Sequence, residues 1–355
     1  MGGAGDACMP SWATPRTVGP KSCSRSSPRE KHMGQLTRRA VLAGALATPF
    51  VARAEDWPAG QMKFIIPFPA GGTLDAIARL VQPGLQQRLG TTIIIENRPG
   101  AAGSIGAAAV AKSPPDGRTW LFVFDTHATN PVTQPSLPYN SETDLDPVML
   151  VGTAPNIIAC QPSRPYQTLA ELIAASKAKQ GGFAFASAGT ASLGHLTMLL
   201  LAKRSGAQWS HVAYKGAAPA VNDAIAGHID LIIAATTVLN SQIDAKLLRP
   251  LAQTGATRHP TLPDVPTLAE SGFPDLVATP WWGLYAPGKT PKQIIARFNT
   301  EMRAVLKDAS VTGRINAMGL TVAASDPDYM RNFYAEQAHI WGQVVRDNGL
   351  QAEGG

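Results

Sequence analysis

Cysteine is scarce in this sequence, and its positions limit what it can do. The 355 residues contain three cysteines, and only Cys160 lies beyond the first 54 residues. A single cysteine cannot close an internal disulfide or supply a cysteine-based metal site. Because Cys160 follows the apolar residues 157–159, we predict a small buried side chain with no chemical role. No metal site is expected.

Excess charge is also missing once the first 54 residues are set aside. The whole chain has a net charge of +6, from 31 Lys and Arg against 25 Asp and Glu. Residues 1–54 contain eight basic and two acidic side chains, so the remainder has 23 of each. Surfaces that bind nucleic acid or anionic membranes need a basic excess. The composition therefore argues against a nucleic-acid partner.

The apolar run within residues 36–54, LTRRAVLAGALATPFVARA, is too short to span a bilayer. Two arginines precede the run and Ala52-Arg53-Ala54 closes it, an order typical of an export signal. We therefore expect a periplasmic protein, cleaved after about Ala54. The arginine pair is compatible with the twin-arginine route, with ordinary secretion as the alternative. Met33 stands five residues before Arg38, which favours translation from Met33, with residues 1–32 as upstream sequence.

Apolar runs of the β type alternate with stretches of helical spacing. A chain of this length exceeds one core, so we expect two lobes. The alternation predicts an α/β fold in which each lobe is a mainly parallel sheet flanked by helices. Strands are predicted at KFIIPF (63–68), TTIIIE (91–96), WLFVF (120–124), FAFAS (183–187), 229–233 and 247–253. Helices are predicted between the first two strands and at 195–203, 294–306 and 328–347.

Two glycine-containing loops follow predicted strands and open predicted helices. In IIPFPAGGTLD (65–75), Gly71 and Gly72 would let an anion approach the free N–H groups of a helix start. The loop in SAGTASLGH (187–195) repeats this arrangement. Ligands of open α/β sheets bind at such strand ends. The two loops could hold one carboxylate from both sides, while Asp75 suits the first helical turn as a capping residue.

The sequence from about Lys63 to Gly349 resembles the Bug (TctC) family of extracytoplasmic solute-binding proteins associated with tripartite tricarboxylate transport. The resemblance rests on FIIPFPAGGTLDAIAR, IIIENRPGAAGSIGAAAVAKSPPDG, THATNP, FASAGTASLGH, HVAYKGAAPA, LPDVPTLAESG and WWGLYAPGKTP. It implies a two-lobed periplasmic-binding-protein fold of the type II kind. It also implies a small carboxylate held in the cleft between the lobes, without a cofactor and without catalysis.

The loops and the resemblance together define a set of candidate ligand-binding residues. The resemblance brings the THATN and YKG motifs to the cleft, and it places the loop around Thr236 against the variable part of the ligand. The set consists of Phe68, Pro69, Ala70, Gly71, Gly72, Thr73, Asp75, Thr126, His127, Asn130, Ser187, Ala188, Gly189, Thr190, Ser192, His195, Tyr214, Lys215, Gly216 and Thr236.

The sequence departs from the family pattern at two places. Many members carry Asp-Asn or Asp-Gly where Ala234 and Ala235 stand, so a carboxylate that could pair with an amino group is missing. Ala191 and Leu193 also replace small or hydroxyl residues in the second loop. These departures favour a dicarboxylate, tricarboxylate or aromatic acid over an amino acid.

The predicted lobes are discontinuous in the sequence. We expect residues 56–155 and 281–355 to form the first lobe and residues 156–280 the second, with hinge closure around the ligand. The expected partners are the membrane subunits of a tripartite tricarboxylate transporter or a sensor receptor. We expect the protein to be a monomer.

Some of these residues have alternative interpretations. His127 and His195 lack a metal-type spacing and suit structural hydrogen bonds, with His127 also a candidate to contact the ligand. Lys215 suits an anion contact or a solvated loop equally. Trp281 and Trp282 suit the cleft or the core.

Two enzyme classes are the alternatives to a binding protein. GAAGSIG (100–106) follows a predicted strand and Asp125 ends the next, as in an exported NAD-dependent oxidoreductase, but its spacing is not G-x-G-x-x-G. No catalytic base with a supporting partner is recognisable. A hydrolase would need a G-x-S-x-G motif, which is absent, and Ser192 has only His195 as a base.

Overall fold

Two β-sheets form the framework of the structure, a computed structural model that describes residues 57–214 and 216–350. The expectations for the translation start at Met33, the export signal, the cleavage after Ala54 and the side chain of Lys215 lie outside the described residues. Within the described ranges, no helix has both the length and the apolar character that crossing a membrane requires.

The first sheet takes its strands from two separate parts of the chain. Its order is β11-β4-β10-β3-β1-β2. Strands β1 to β4 point in one direction, and β10 and β11 run against them. The strands are β1 (Met62–Ile66), β2 (Ile93–Asn97), β3 (Thr119–Phe124), β4 (Leu145–Thr153), β10 (Trp281–Pro287) and β11 (Thr321–Val322).

The second sheet is built from the middle of the chain in the order β7-β6-β8-β5-β9. Only β5 runs against the other strands. The strands are β5 (Asn156–Cys160), β6 (Phe183–Ser187), β7 (Trp209–Ala213), β8 (Leu231–Ala235) and β9 (Arg249–Gln253). In both sheets an antiparallel strand, β5 or β10, stands where the chain arrives from the other sheet.

Helices cover the sheets and join successive strands. They are α1 (Thr73–Leu89), α2 (Ser104–Ala111), α3 (Thr126–Thr133), α4 (Leu169–Ala178), α5 (Leu193–Ser205), α6 (Ala217–Ala226), α7 (Thr236–Asp244), α8 (Lys292–Leu306), α9 (Ala309–Ala317) and α10 (Pro327–Asp347). A short 3₁₀ turn, Ala101–Gly103, precedes α2. The helices α1 and α5 both end at a glycine in the left-handed conformation, Gly90 and Gly206, as helix C-termini commonly do.

Both faces of the first sheet are packed. Alternate residues of β1 point to opposite sides, so Phe64 and Ile66 join the cluster under α1 and α8, while Ile65 joins the cluster on the other face. Trp281 and Trp282 divide in the same way and are at most 2% exposed. Their interpretation as core residues is confirmed. Cys160 is fully buried, also as predicted.

The α/β class is confirmed, and most strands in each sheet point the same way. Parallel and antiparallel pairs of neighbouring strands are more mixed than expected. The reason is that the strand that enters each sheet from the other sheet is inserted antiparallel to its neighbours. The predicted strand at 183–187 matches β6, and the other predicted strands differ by a few residues from those observed. Elements missing from the prediction include strands β4, β5, β7, β10 and β11 and helices α3, α4, α6, α7 and α9. Strands β4, β5 and β10 are buried almost throughout, so their sequences lack the alternation that marks a half-buried strand.

Candidate functional site

The first loop, residues 67–72, connects β1 to α1 and presents backbone to solvent. Residues 69–72 are exposed, and Gly72 is the N-cap of α1, where no side chain caps the helix. The first-turn N–H groups of a helix have no helical acceptor and form its positive end. Gly71 has φ +84°, which glycine adopts without strain, whereas Gly72 has an ordinary φ of −76°. The first loop therefore leaves the start of α1 exposed, although the N–H groups of Gly71 and Gly72 are themselves donated to Asp75 and to Pro69 O.

Asp75 fixes the shape of the first loop from behind. Its carboxylate accepts the Gly71 N–H at 3.0 Å, Asn97 Nδ2 at 3.2 Å and Arg79 Nε at 2.9 Å. Asn97 Nδ2 also donates to Phe68 O at 3.1 Å. Burial by itself raises the pKa of Asp75, but the hydrogen bonds from Arg79, Gly71 and Asn97 outweigh it and the pKa is lowered. Asp75 is 3% exposed and acts as a brace for the loop.

A second layer of polar side chains supports the first loop through the turn at 101–103. Thr126 Oγ1 and Asn130 Nδ2 donate to Ala102 O at 3.0 and 3.1 Å. A Cβ on Gly103 would stand 3.2 Å from the Phe68 ring, so the glycine lets this turn pack on the first loop. Gly106 packs on Pro67 in the same way. The glycines of GAAGSIG therefore have a packing role in this structure.

His127 lies away from the exposed N–H groups, inside an aromatic cluster. Its ring contacts Tyr139, Tyr285 and Tyr334, and it is 3% exposed. Burial lowers the pKa of His127 to about 3, so the imidazole is neutral at physiological pH. A cavity of about 10 Å³ beside it, room for about one water molecule, is lined by Pro67, Phe68, Gly103, Thr126, His127 and Asn130 among others.

The second loop, residues 188–192, connects β6 to α5 and is less exposed than the first loop. Ser192 is the N-cap of α5 and accepts the His195 N–H. Ala188, Gly189 and Thr190 are partly exposed, and Gly189 has φ +144°. Ala191 N–H donates to His195 Nδ1 at 3.1 Å, which places the ring proton of neutral His195 on Nε2.

His211 lies behind the second loop, although it was not among the predicted site residues. Its Nε2 is 2.7 Å from Ser187 Oγ, which is also 3.3 Å from Ser192 Oγ. The rings of His195 and His211 stack at 3.7 Å between centroids. Burial lowers the pKa of His195 to about 4, and burial with the neighbouring His195 lowers that of His211 to about 3. The second loop is thus held by neutral groups.

A third helix start lies beside the second loop. Gly216, with φ +112°, is the N-cap of α6, and no side chain caps this helix. Tyr214 precedes it and donates its hydroxyl to Asp223 Oδ2 at 2.6 Å. Burial and Asp223 raise the pKa of Tyr214 to about 12. A Cβ on Gly189 would stand 3.6 Å from Tyr214 O, so this segment borders the second loop.

The two sheets meet around these loops. Thr73 Oγ1 donates to Thr237 Oγ1 at 3.3 Å, and Thr129 Oγ1 donates to Ala191 O at 3.2 Å. Thr236 uses its hydroxyl differently, because it is fully buried and donates to Gly319 O at 2.6 Å. The start of α1 and the start of α5 are therefore brought to the same interface, with Thr237 rather than Thr236 contacting Thr73.

Asp125, at the end of β3, is the most unusual polar group at this interface. It is 4% exposed, and neither carboxylate oxygen has a hydrogen-bond partner of good geometry among the described residues. The backbone N–H groups that it faces are those of Thr126 and of Leu193, the first residue of α5. Burial raises the pKa of Asp125 well above its usual value. No group of three or more metal-ligating side chains occurs in the described ranges.

The chain is similar in sequence and in structure to known proteins. The model of the tripartite tricarboxylate transporter family receptor, TctC, matches residues 77–350. Protein BugT of Bordetella pertussis is 36% identical over 317 residues, which cover 88% of this chain and 97% of BugT. The solved structure of R. palustris Rpa4515 with adipate has a TM-score of 0.78 and 32% identity, covering 83% of this chain and 99% of the other. Periplasmic binding protein BugD has a TM-score of 0.76 and 30% identity, covering 84% of this chain and all of BugD.

Proposed function

Because the chain belongs to the tripartite tricarboxylate transporter receptor family, TctC, we propose that it is a periplasmic solute-binding protein that captures a small carboxylate and carries out no chemistry on it. The observation that carries this proposal is that the N-termini of α1 and α5, on two different sheets, both lie at the interface between the sheets, α1 through the Thr73–Thr237 hydrogen bond and the loop before α5 through the Thr129–Ala191 hydrogen bond. Each brings backbone N–H groups and the positive end of a helix dipole to the same interface. A carboxylate between them would receive donors from both sides without any arginine.

The division into lobes follows the two sheets. The proposed first lobe, residues 56–155 and 281–355, contains all six strands of the first sheet, and the proposed second lobe, residues 156–280, contains all five strands of the second, so the chain crosses between the sheets twice. The crossings run side by side, since Ala154 N–H donates to Pro280 O at 3.0 Å and Asn156 N–H donates to Thr254 Oγ1 at 3.0 Å. Paired extended crossings of this kind suit a hinge. A ligand that binds both helix starts stabilises the closed arrangement because it has contacts in both lobes only there.

The side chains around the site favour an acid without an amino group. Ala234 and Ala235 end β8 and are both buried, and they offer no carboxylate to an ammonium group. Ala191 and Leu193 add apolar surface at the second loop. A dicarboxylate such as the adipate held by the R. palustris relative fits this lining, and tricarboxylates and aromatic acids are the further candidates.

The proposed biological setting is that of a receptor of this family. We infer that the protein is exported, loses its signal after about Ala54 and delivers its ligand as a monomer. The proposed partner is the membrane subunits of a tripartite tricarboxylate transporter, with a sensor receptor as the alternative.

A thermal-shift screen of residues 55–355 tests the proposal. The ligands are adipate and other dicarboxylates, citrate, aromatic acids and NAD. A ligand present at 100 times its Kd adds about 2.7 kcal/mol of stability and raises Tm measurably. A shift with one class of acid supports the proposal and identifies the ligand class. A shift with NAD alone would replace it with the oxidoreductase.

A further inference from the structure

The carboxyl group of Asp125 is buried beside the start of α5, at the interface between the two sheets. Asp125 belongs to the first sheet, at the carboxyl end of β3, yet it faces the N–H of Leu193 at the start of α5, next to the second sheet. Thr129, four residues along α3, is hydrogen-bonded to Ala191 O, which confirms that α3 packs on the second loop. β3 pairs with β1, so the end of β3 is also next to the first loop.

An ionised carboxylate is costly in this position. Asp125 is 4% exposed, and its two oxygens lack partners of good hydrogen-bond geometry among the described residues. A buried charge without a counter-charge takes up a proton instead. A carboxylic acid in its neutral form has an O–H to donate, and a second carboxylate beside it is a suitable acceptor.

We propose that Asp125 is a further ligand-recognition residue, which as a neutral acid donates its O–H to an oxygen of the bound carboxylate at the N-terminus of α5. This inference rests on the proposed function. When the lobes are apart, Asp125 is hydrated and ionised. As they close on the ligand, it takes one proton from the solvent, and no other bond is made or broken. The protein thus captures the acid together with a proton.

The other titratable groups around Asp125 do not supply the proton that Asp125 takes up at neutral pH. His127 on α3 and His195 on α5, with His211 stacked behind it, have pKa values lowered to between about 3 and about 4 and are neutral. Asp75 at the start of α1 is paired with Arg79. The raised pKa of Asp125 follows from burial, opposed only by the backbone N–H groups of Leu193 and Thr126. Lys215 lies outside the described residues.

Calorimetric titration with adipate at pH 6, 7 and 8, in two buffers of different ionisation enthalpy, tests the inference. The wild-type protein should take up about one proton per adipate, and its Kd should rise by up to about tenfold per pH unit. Asp125→Asn keeps an N–H donor but cannot titrate, so uptake should vanish and Kd should become independent of pH. Asp125→Ala lacks the donor and should bind about tenfold or more weakly than Asp125→Asn at pH 6.

Asp308→Asn is the matched control. Asp308 is the exposed N-cap of α9, where asparagine caps equally well, so this variant should take up the proton as the wild type does. Adipate binding with equal proton uptake in the wild type and Asp125→Asn would overturn the inference and leave the proposed function intact. Complete absence of adipate binding in all variants would instead contradict dicarboxylate capture, and the inference with it.

Discussion

The first loop is exposed and held in place by charge, whereas the second loop is partly buried and held by neutral groups. Asp75, with Arg79 and Asn97, braces the first loop. Ser187, Ser192 and a pair of stacked neutral histidines support the second. The start of α1 is exposed in this arrangement, whereas the start of α5 is buried with its N–H groups facing Ser192 and Asp125. The comparison shows that the shared property is backbone geometry, and that the side chains behind each loop are free to differ.

The largest expected effect is on ligand binding, from Gly72→Val in the first loop. The φ of −76° at Gly72 suits valine, and a Cβ there would stand 3.5 Å from Pro69 O, an ordinary contact. Stability should therefore change little. The new methyl groups would block the approach to the helix N–H groups, and loss of two hydrogen bonds to a charged ligand weakens binding by roughly 100-fold or more. Calorimetry and thermal unfolding measure the two effects separately.

Gly71→Val is the counterpart to this variant. The φ of +84° at Gly71 is strained for valine, so we expect a loss of about 1–2 kcal/mol in the free energy of unfolding. If Gly72→Val unfolds the protein and Gly71→Val does not, the roles of the two glycines are assigned the wrong way round.

The next effect concerns the brace of the first loop. Asp75→Asn keeps one acceptor oxygen but loses the other together with the negative charge, so it cannot accept from Gly71, Asn97 and Arg79 at once, which should cost roughly 1–3 kcal/mol at pH 7. Because the pKa of Asp75 is lowered in the folded state, this contribution is present above the unfolded pKa, near 4, and is lost as pH falls through the folded value. Chemical unfolding at pH 7 and at pH 3 should show the difference between the two proteins shrinking. An equal difference at both values would mean that the charge of Asp75 is irrelevant.

The second loop should respond to acid with a different profile. His195 and His211 have folded pKa values of about 4 and about 3, below the ordinary value of about 6.5. The unfolded chain therefore binds more protons, and stability is full above about pH 6.5 and falls as the pH drops towards the folded values. His211→Phe keeps a ring in the stack and removes one titrating group, so its stability should fall less steeply between pH 6.5 and 4.

His339, exposed on α10, provides the control for this slope. His339→Gln should leave the pH dependence of the unfolding free energy as it is in the wild type. A slope in His211→Phe identical to that of the wild type would show that His211 is not held neutral by the fold.

The difference between the loops also shows which parts of the site could be predicted from the sequence. Each loop was predictable because a buried strand, glycines and hydroxyl residues follow one another within about ten positions, and these act locally. The hydrogen-bond partner of Ser187 was not predictable, because His211 reaches Ser187 only through the pairing of β6 with β7. The position of Asp125 opposite Leu193 depends on how the two sheets meet, which no local pattern encodes. The two loops were therefore more predictable from the sequence than the groups packed behind them.

The smallest expected effect comes from the contact that joins the two regions. Thr237→Val removes the 3.3 Å hydrogen bond to Thr73 across the interface. Both hydroxyls can turn to water when the lobes separate, so a net loss of about 0.5–1.5 kcal/mol in binding, or a few-fold rise in Kd, is expected, with little change in stability. Thr236→Val is the matched neighbour. This substitution leaves the buried acceptor Gly319 O without its donor and should lower the free energy of unfolding by roughly 1–3 kcal/mol. Calorimetry and unfolding of both variants check this division. A Thr237→Val protein with lost stability and unchanged Kd would contradict it, because the Thr73 contact would then stabilise the fold rather than the closed, ligand-bound arrangement.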